Sequence, residues 1–215
     1  MKYIKFMDNG CVGPYSDAIL KSGSWLPELT GDLVLCKNGY HFCMIKDFAK
    51  WISTELYSVE VRGDVLSGDD KSCARSIKMT RIESWNERTA RLFAADCAEH
   101  VLHIFEDAIP GDTRPRDAIA AARSFANGEI DAAARAAASD AAWCAASATP
   151  SGATSAATSA AASYAACDAA WCAARATARA AARAAALGAA SGAASDAEEE
   201  WQLERFMYYI GGEKS

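Results

Sequence analysis

Two hydrophobic periods divide the chain. Up to about residue 83 the apolar positions come in short runs that read as strands: Tyr3-Ile4-Lys5-Phe6, Leu33-Val34-Leu35-Cys36, the alternating Tyr57-Ser58-Val59-Glu60-Val61, and a returning strand from Cys73 to Ile82. Turn residues separate them, at Asn9-Gly10, Gly13-Pro14, Lys37-Asn38-Gly39 and Ser67-Gly68-Asp69-Asp70. In the loop from Gly23 to Gly31, Trp25 and Leu26 are expected to pack inward. From Asp47 to Ser53 the period lengthens, and Phe48, Trp51 and Ile52 share one face of a short helix.

Beyond residue 83 the pattern is helical. Ser84-Trp85-Asn86-Glu87 has the spacing of a capping box, in which the serine hydroxyl and the glutamate carboxylate satisfy the free amides of a first turn. The helix it opens is predicted to run to about Ala108, with Leu92, Phe93, Val101, Leu102 and Phe105 on its apolar face, and to end at Ile109-Pro110-Gly111. A second helix starts at Asp112-Thr113 with Pro115 in its first turn, carries Ile119, Ala122 and Phe125, and stops at Asn127-Gly128. A last helix is predicted from a second capping box, Ser195-Asp196-Ala197-Glu198, through Trp201, Leu203, Phe206, Met207 and Ile210 to Gly211-Gly212.

Between these lies a field in which more than half of the residues from Asp131 to Ala197 are alanine. Alanine loses no rotamer freedom on entering a helix, so the field is expected to be helical. It contains one phrase twice: Asp140-Ala-Ala-Trp143-Cys144-Ala-Ala-Ser147-Ala-Thr149, and Asp168-Ala-Ala-Trp171-Cys172-Ala-Ala-Arg175-Ala-Thr177. Pro150 divides the two copies, and Leu187-Gly188 ends the second helix. Trp143, Tyr164 and Trp171 recur at multiples of seven and so share one heptad position. The expected architecture is therefore α+β: a small N-terminal α+β module over residues 1–83, followed by an alanine-rich antiparallel helical bundle over residues 84–215. Alanine-faced helices approach closely, which favours a homo-oligomer.

The net charge of -6 is the wrong sign for general nucleic-acid binding or for an anionic membrane surface. The N-terminal Met1 to Asp8 lacks the apolar stretch of a signal peptide, and no apolar run reaches the length of a membrane span. The eight cysteines have no framework spacing, so reduced thiols in a cytoplasm are expected.

Several groupings carry possible chemistry. Trp143 and Trp171 read first as knobs of a small duplicated core and alternatively as an aromatic pocket for a nucleobase, and Arg175, Arg179 and Arg183 form a stripe at helical spacing suited to phosphates or an acidic partner. The same stripe also suits an intramolecular pairing with Glu198, Glu199 and Glu200. Cys36, His41, Cys43 and Cys73 have ligand chemistry for zinc but lack a short Cys-x-x-Cys knuckle, which favours buried thiols beside a structural histidine. Asp96, Glu99, His100 and His103 lie within helical reach of one another, most simply as histidines held by carboxylates. The absence of a glycine-rich phosphate loop, a nucleophile elbow or a triad phrase favours binding over catalysis, and no motif implies a cofactor or a metal.

Three resemblances add to this. Leu35-Cys36-Lys37-Asn38-Gly39-Tyr40-His41-Phe42-Cys43, followed by Val59-Glu60-Val61-Arg62-Gly63 and Asp70-Lys71, resembles an uncharacterised domain common in bacteriophage proteins, marked by a Cys-x-x-Gly-aromatic-His-x-Cys phrase. Ala94-Ala95-Asp96-Cys97-Ala98-Glu99-His100-Val101-Leu102, with Asp112 to Ile119 and Ala126 to Glu129, resembles a helical family of immunity proteins similar to ones found beside polymorphic toxins. Gly39-Tyr40-His41-Phe42 is also similar to the phrase bordering the nicotinamide pocket of ADP-ribosyltransferase folds, which would make Glu60 the catalytic acid.

The resemblances imply a phage-type immunity or counter-defence protein, without catalytic activity, that binds and blocks a host or phage protein. The alternatives are a sponge that sequesters a nucleotide signal through Trp143, Trp171, Arg175, Arg179 and Arg183, and an ADP-ribosyltransferase-like enzyme in residues 1–83.

Overall fold

Alternation dictates the first strand. Ile4, Phe6 and Met7 are buried along β1 (Tyr3–Met7), in a computed structural model that describes residues 2–14, 18–100, 102–108, 110–134 and 192–211. The chain divides into two units, Met1–Asn86 and Glu87–Ser215.

In the first unit, β1 is joined by β2 (Tyr40–Met44), β3 (Glu55–Ser67) and β4 (Ser72–Arg81) in a closed antiparallel barrel of order β1-β2-β4-β3. Closure pairs every one of these four strands with a neighbour on both sides over part of its length. The long β3–β4 hairpin runs from Tyr57↔Arg81 to Ser67↔Ser72 and is interrupted by a bulge between Arg62 and Val65, where Gly63 adopts φ 74°. The β1–β2 seam is short, pairing Tyr3 with Met44 and Ile4 with Cys43. The core is built by Met7, Leu26, Phe42, Tyr57, Val59, Ala74, Ile77 and Met79. Leu26 reaches it because the segment from Gly23 to Leu29 runs beside β4, its amides bonding to Met79, Ile77 and Arg75 carbonyls.

The run Leu33 to Cys36 is not a strand. Val34 bridges Asn38 across a tight turn, and Cys36 has φ 64° with its amide donated to the His41 ring, so the backbone serves the turn instead of a sheet. The strand lies just beyond it, at Tyr40–Met44. The helix expected from Asp47 is a 3-10 helix at Ile45–Lys50.

The second unit holds α1 (Glu87–His100), α2 (Leu102–Ala108), α3 (Arg114–Ala126) and α4 (Gly192–Gly211) among the described residues. The first helix starts at Glu87 because Trp85, in the first unit, is fully buried, donates its indole N–H to Ser53 O at 2.9 Å and meets Phe6 edge-on. The last helix begins at Gly192, ahead of the expected cap at Ser195; alanines 193 and 194 favour extension. Asp131 accepts the Ala134 amide at 2.8 Å, an N-cap geometry at the edge of the alanine field. No helix among the described residues is long and apolar enough to cross a membrane.

The architecture is mixed α+β and corrects the expectation of a small module followed by an alanine-rich antiparallel helical bundle. The N-terminal unit is a closed barrel, and the few helices described are drawn together by large and charged side chains. Alanine spacing signals helix propensity, but each alanine buries little area and specifies no packing partner. The Pro150 division, the aromatic positions Trp143, Tyr164 and Trp171, the Leu187-Gly188 end and the positions Val101 and Ile109 lie outside the described residues.

A Cβ added at Gly39 would sit 2.7 Å from both Cβ and Sγ of Cys73, at a residue with φ 147°. Gly39→Ala is expected to destabilise the barrel by about 2–4 kcal/mol through combined backbone strain and overpacking, measured by urea unfolding.

Candidate functional site

The short β1–β2 seam creates the site. Past Ile4↔Cys43 the two strands have no further paired positions, and the Lys5 ammonium crosses to the His41 carbonyl at 2.6 Å. Here a cavity of about 660 Å³ opens, lined from β1 by Ile4, Lys5 and Phe6 and from β2 by His41, Phe42 and Cys43. Loop residues Gly13, Pro14, Cys36, Trp51 and Lys71 complete the wall.

The Cys-x-x-Gly-aromatic-His-x-Cys phrase is the local cause of this wall. His41 Nε2 accepts the Cys36 amide at 2.8 Å, which places the ring proton of the neutral imidazole on Nδ1. Burial holds the His41 pKa below its ordinary value, helped by repulsion from Lys5 and Lys71 and opposed by a hydrogen bond with the Gly39 backbone. Cys43 donates to Ile4 O at 3.6 Å, and burial pushes its thiol up to about 12, so it is neither a thiolate nucleophile nor a ready metal ligand at neutral pH.

Two cations face this cavity. Burial among protein atoms lowers the Lys5 pKa to about 8. Lys71 Nζ stands 5.2 Å from the centre of the Trp51 ring, and the Trp51 indole donates to Asp70 O at 3.0 Å. Among the described residues no acidic side chain lines the wall.

These placements decide the sequence candidates. Glu60 is not part of the cavity; its carboxylate pairs with Lys78 across the hairpin at 2.9 Å. The ADP-ribosyltransferase pairing of His41 with Glu60 is therefore not assembled, and His41 Nε2 is taken up by a backbone amide. Among the described residues no group of three or more His, Cys, Asp and Glu side chains is placed to hold a metal. Trp143, Trp171, Arg175, Arg179 and Arg183 lie outside the described residues, as does the pairing of that stripe with Glu198.

Sequence reasoning missed Lys5 and Lys71. Lys5 sits between Ile4 and Phe6, where strand alternation points it to solvent, and nothing in the sequence reveals that the seam opens beside it. Trp51 was read only as a packing residue, and it forms part of the cavity wall.

The second unit has its own polar centre. Asp96 on α1, almost fully buried, accepts Arg123 Nη2 from α3 at 2.7 Å, and Arg205 Nε and Tyr209 OH from α4 at 2.6 Å each. Arg123 also forks onto Glu99 at 2.8 and 2.6 Å, which holds the Glu99 pKa below its usual value. Thus Asp96 and Glu99 engage arginines from other helices and not His100 or His103. His100 instead stacks on Trp201, ring centres 3.8 Å apart. Phe93 meets Phe206 and Tyr209 edge-on, both at 6.3 Å.

Asp96→Asn retains shape but removes the charge and one acceptor oxygen. It is expected to cost about 2–4 kcal/mol in urea unfolding, because buried donors lose their counter-charge. For Lys5 the sign is opposite. Its folded pKa of about 8 lies below the unfolded 10.5, so its penalty is fully present below pH 8 and disappears as pH rises towards 10.5. Relative to the wild type, Lys5→Met is therefore expected to gain stability at pH 7 and to lose that advantage between pH 8 and 10.5. The difference between the two stability curves removes the contribution of Tyr57 and reports Lys5 together with Cys43 and Cys11, whose charges couple to it.

Comparison with known proteins gives no match to a curated protein or to a solved structure. The family model of the Imm-5 like putative immunity protein matches residues 80–208, well over half of the 215-residue chain, and the protein belongs to that family.

Proposed function

We propose that the protein is a non-enzymatic immunity or counter-defence factor whose helical unit binds and blocks a host or phage protein. The observation that carries this reading is the family match over residues 80–208, which takes in α1, α2, α3 and most of α4. The chemistry supports a binding role. The side chains most strongly engaged in the helical unit, Asp96, Arg123, Arg205 and Tyr209, are committed to one another and hold the helices in place.

A contact surface is available on α4. Glu200, Glu204 and Tyr208 recur at intervals of four and are exposed, with Met207 exposed beside them. Acidic side chains next to an aromatic and a methionine suit a basic partner surface with an apolar centre, and the net charge of -6 favours the same sign of partner.

Native mass spectrometry of the tagged protein, isolated from host cells, tests this. The expected result is an added mass the size of a protein, diminished at least tenfold by the pair Glu204→Arg and Met207→Asp while far-UV circular dichroism is unchanged. An added mass of only a few hundred daltons, or a protein partner retained equally by the double variant, would overturn the reading or its contact face respectively.

A further inference from the structure

The barrel cavity is unrelated to the partner-binding reading, which rests on the other unit. Its volume of about 660 Å³ is in the range of small-molecule sites. Most of its wall is apolar or aromatic, from Ile4, Phe6, Phe42 and Trp51, and its two charged groups, Lys5 and Lys71, have the same sign.

Lys5 is the informative group. An ammonium has three donors, and the His41 carbonyl is the hydrogen-bond partner of Lys5 among the described residues. Two donors remain, beside a cavity that no carboxylate lines among the described residues. A lysine kept purely for packing gains one hydrogen bond, to the His41 carbonyl, against the desolvation cost of its charge, whereas methionine would fill the same stem volume without that cost. The neighbouring groups do not offset that charge. His41 is neutral and its Nε2 is occupied by the Cys36 amide, while Cys43 is a protonated thiol. A charge unmatched among the described residues suits an anionic ligand.

We infer that this cavity binds a small molecule with a flat apolar body and one anionic group, the anion seated on Lys5 and the body lying along the Phe42 and Trp51 side of the wall. The ligand is a carboxylate or a phosphate ester, and Lys71 contributes a second, weaker attraction.

Isothermal titration calorimetry on the full-length protein at pH 7 tests the inference with 2-naphthoate, 2-naphthyl phosphate and the neutral 2-naphthamide. The expected result is saturable one-to-one binding of at least one anion, with the amide at least tenfold weaker. Lys5→Met should weaken the anion at least tenfold and Lys71→Met by a smaller factor. The better of the two anions identifies the headgroup chemistry. Equal binding of anion and amide, undiminished binding by a folded Lys5→Met, or no saturable binding of either anion would overturn it. If Lys5→Met does not fold, as judged by near-UV circular dichroism, the ratio of anion to amide affinity in the wild type decides alone.

Discussion

One carboxylate joins the helices on either side of the alanine field. Asp96 takes donors from α3, which precedes the field, and from α4, which follows it, so Arg205 closes a loop of 109 residues onto α1. A hydrogen bond to a charged group contributes about 1.5–3 kcal/mol, and two of the three on Asp96 come from α4. Phe93, packed against Phe206 and Tyr209, adds the apolar burial that ion pairs do not supply. Alanine helices gain little per residue from burial, so a frame built from large and charged side chains at the flanks is the economical arrangement.

The barrel is organised by a different constraint. Gly39 permits the close approach to Cys73, Cys36 turns its amide onto His41, and His41 gives its carbonyl to Lys5. The phrase that looks like a metal or catalytic signature is thus a turn and a strand start held by backbone–side-chain bonds. Its tautomer and its neutral charge follow from those bonds, and they remove His41 from acid–base work. The same bonds leave Lys5 at the open seam as the group whose charge is least compensated.

Local signals were read well where the chain's own neighbours decide the outcome. The alternation of Tyr57 to Val61 lies within β3, and Pro115 with Asn127-Gly128 bracket α3. Readings failed where a distant residue decides. Leu33 to Cys36 has the composition of a strand, but the His41 ring competes for its backbone. Asp96 and Glu99 share helical spacing with His100 and His103, yet arginines from other helices, with greater charge and a fork of donors, take the carboxylates. The expected bundle failed for a related reason: helix propensity is local, whereas packing partners are set by side chains that alanine lacks. Of the site, His41 and the cysteines around it were visible in sequence; Lys5 and Lys71 were not, because strand alternation cannot report where a barrel seam opens.

The family match begins at Thr80 and ends at Tyr208. It therefore takes in Asp96, Arg123 and Arg205 and leaves out Lys5, His41 and every other residue that lines the cavity. The helical frame is the part that family membership speaks for, and the cavity belongs to residues ahead of it. The two centres also differ physically. In the helical unit the buried Asp96 carboxylate meets its counter-charges, Arg123 and Arg205, within the chain. In the barrel the Lys5 ammonium meets a backbone carbonyl and no carboxylate among the described residues. A carboxylate paired within the chain fixes helices, whereas a charge without a carboxylate beside it favours an anion, so substitutions at Asp96 and at Lys5 address separate physical properties.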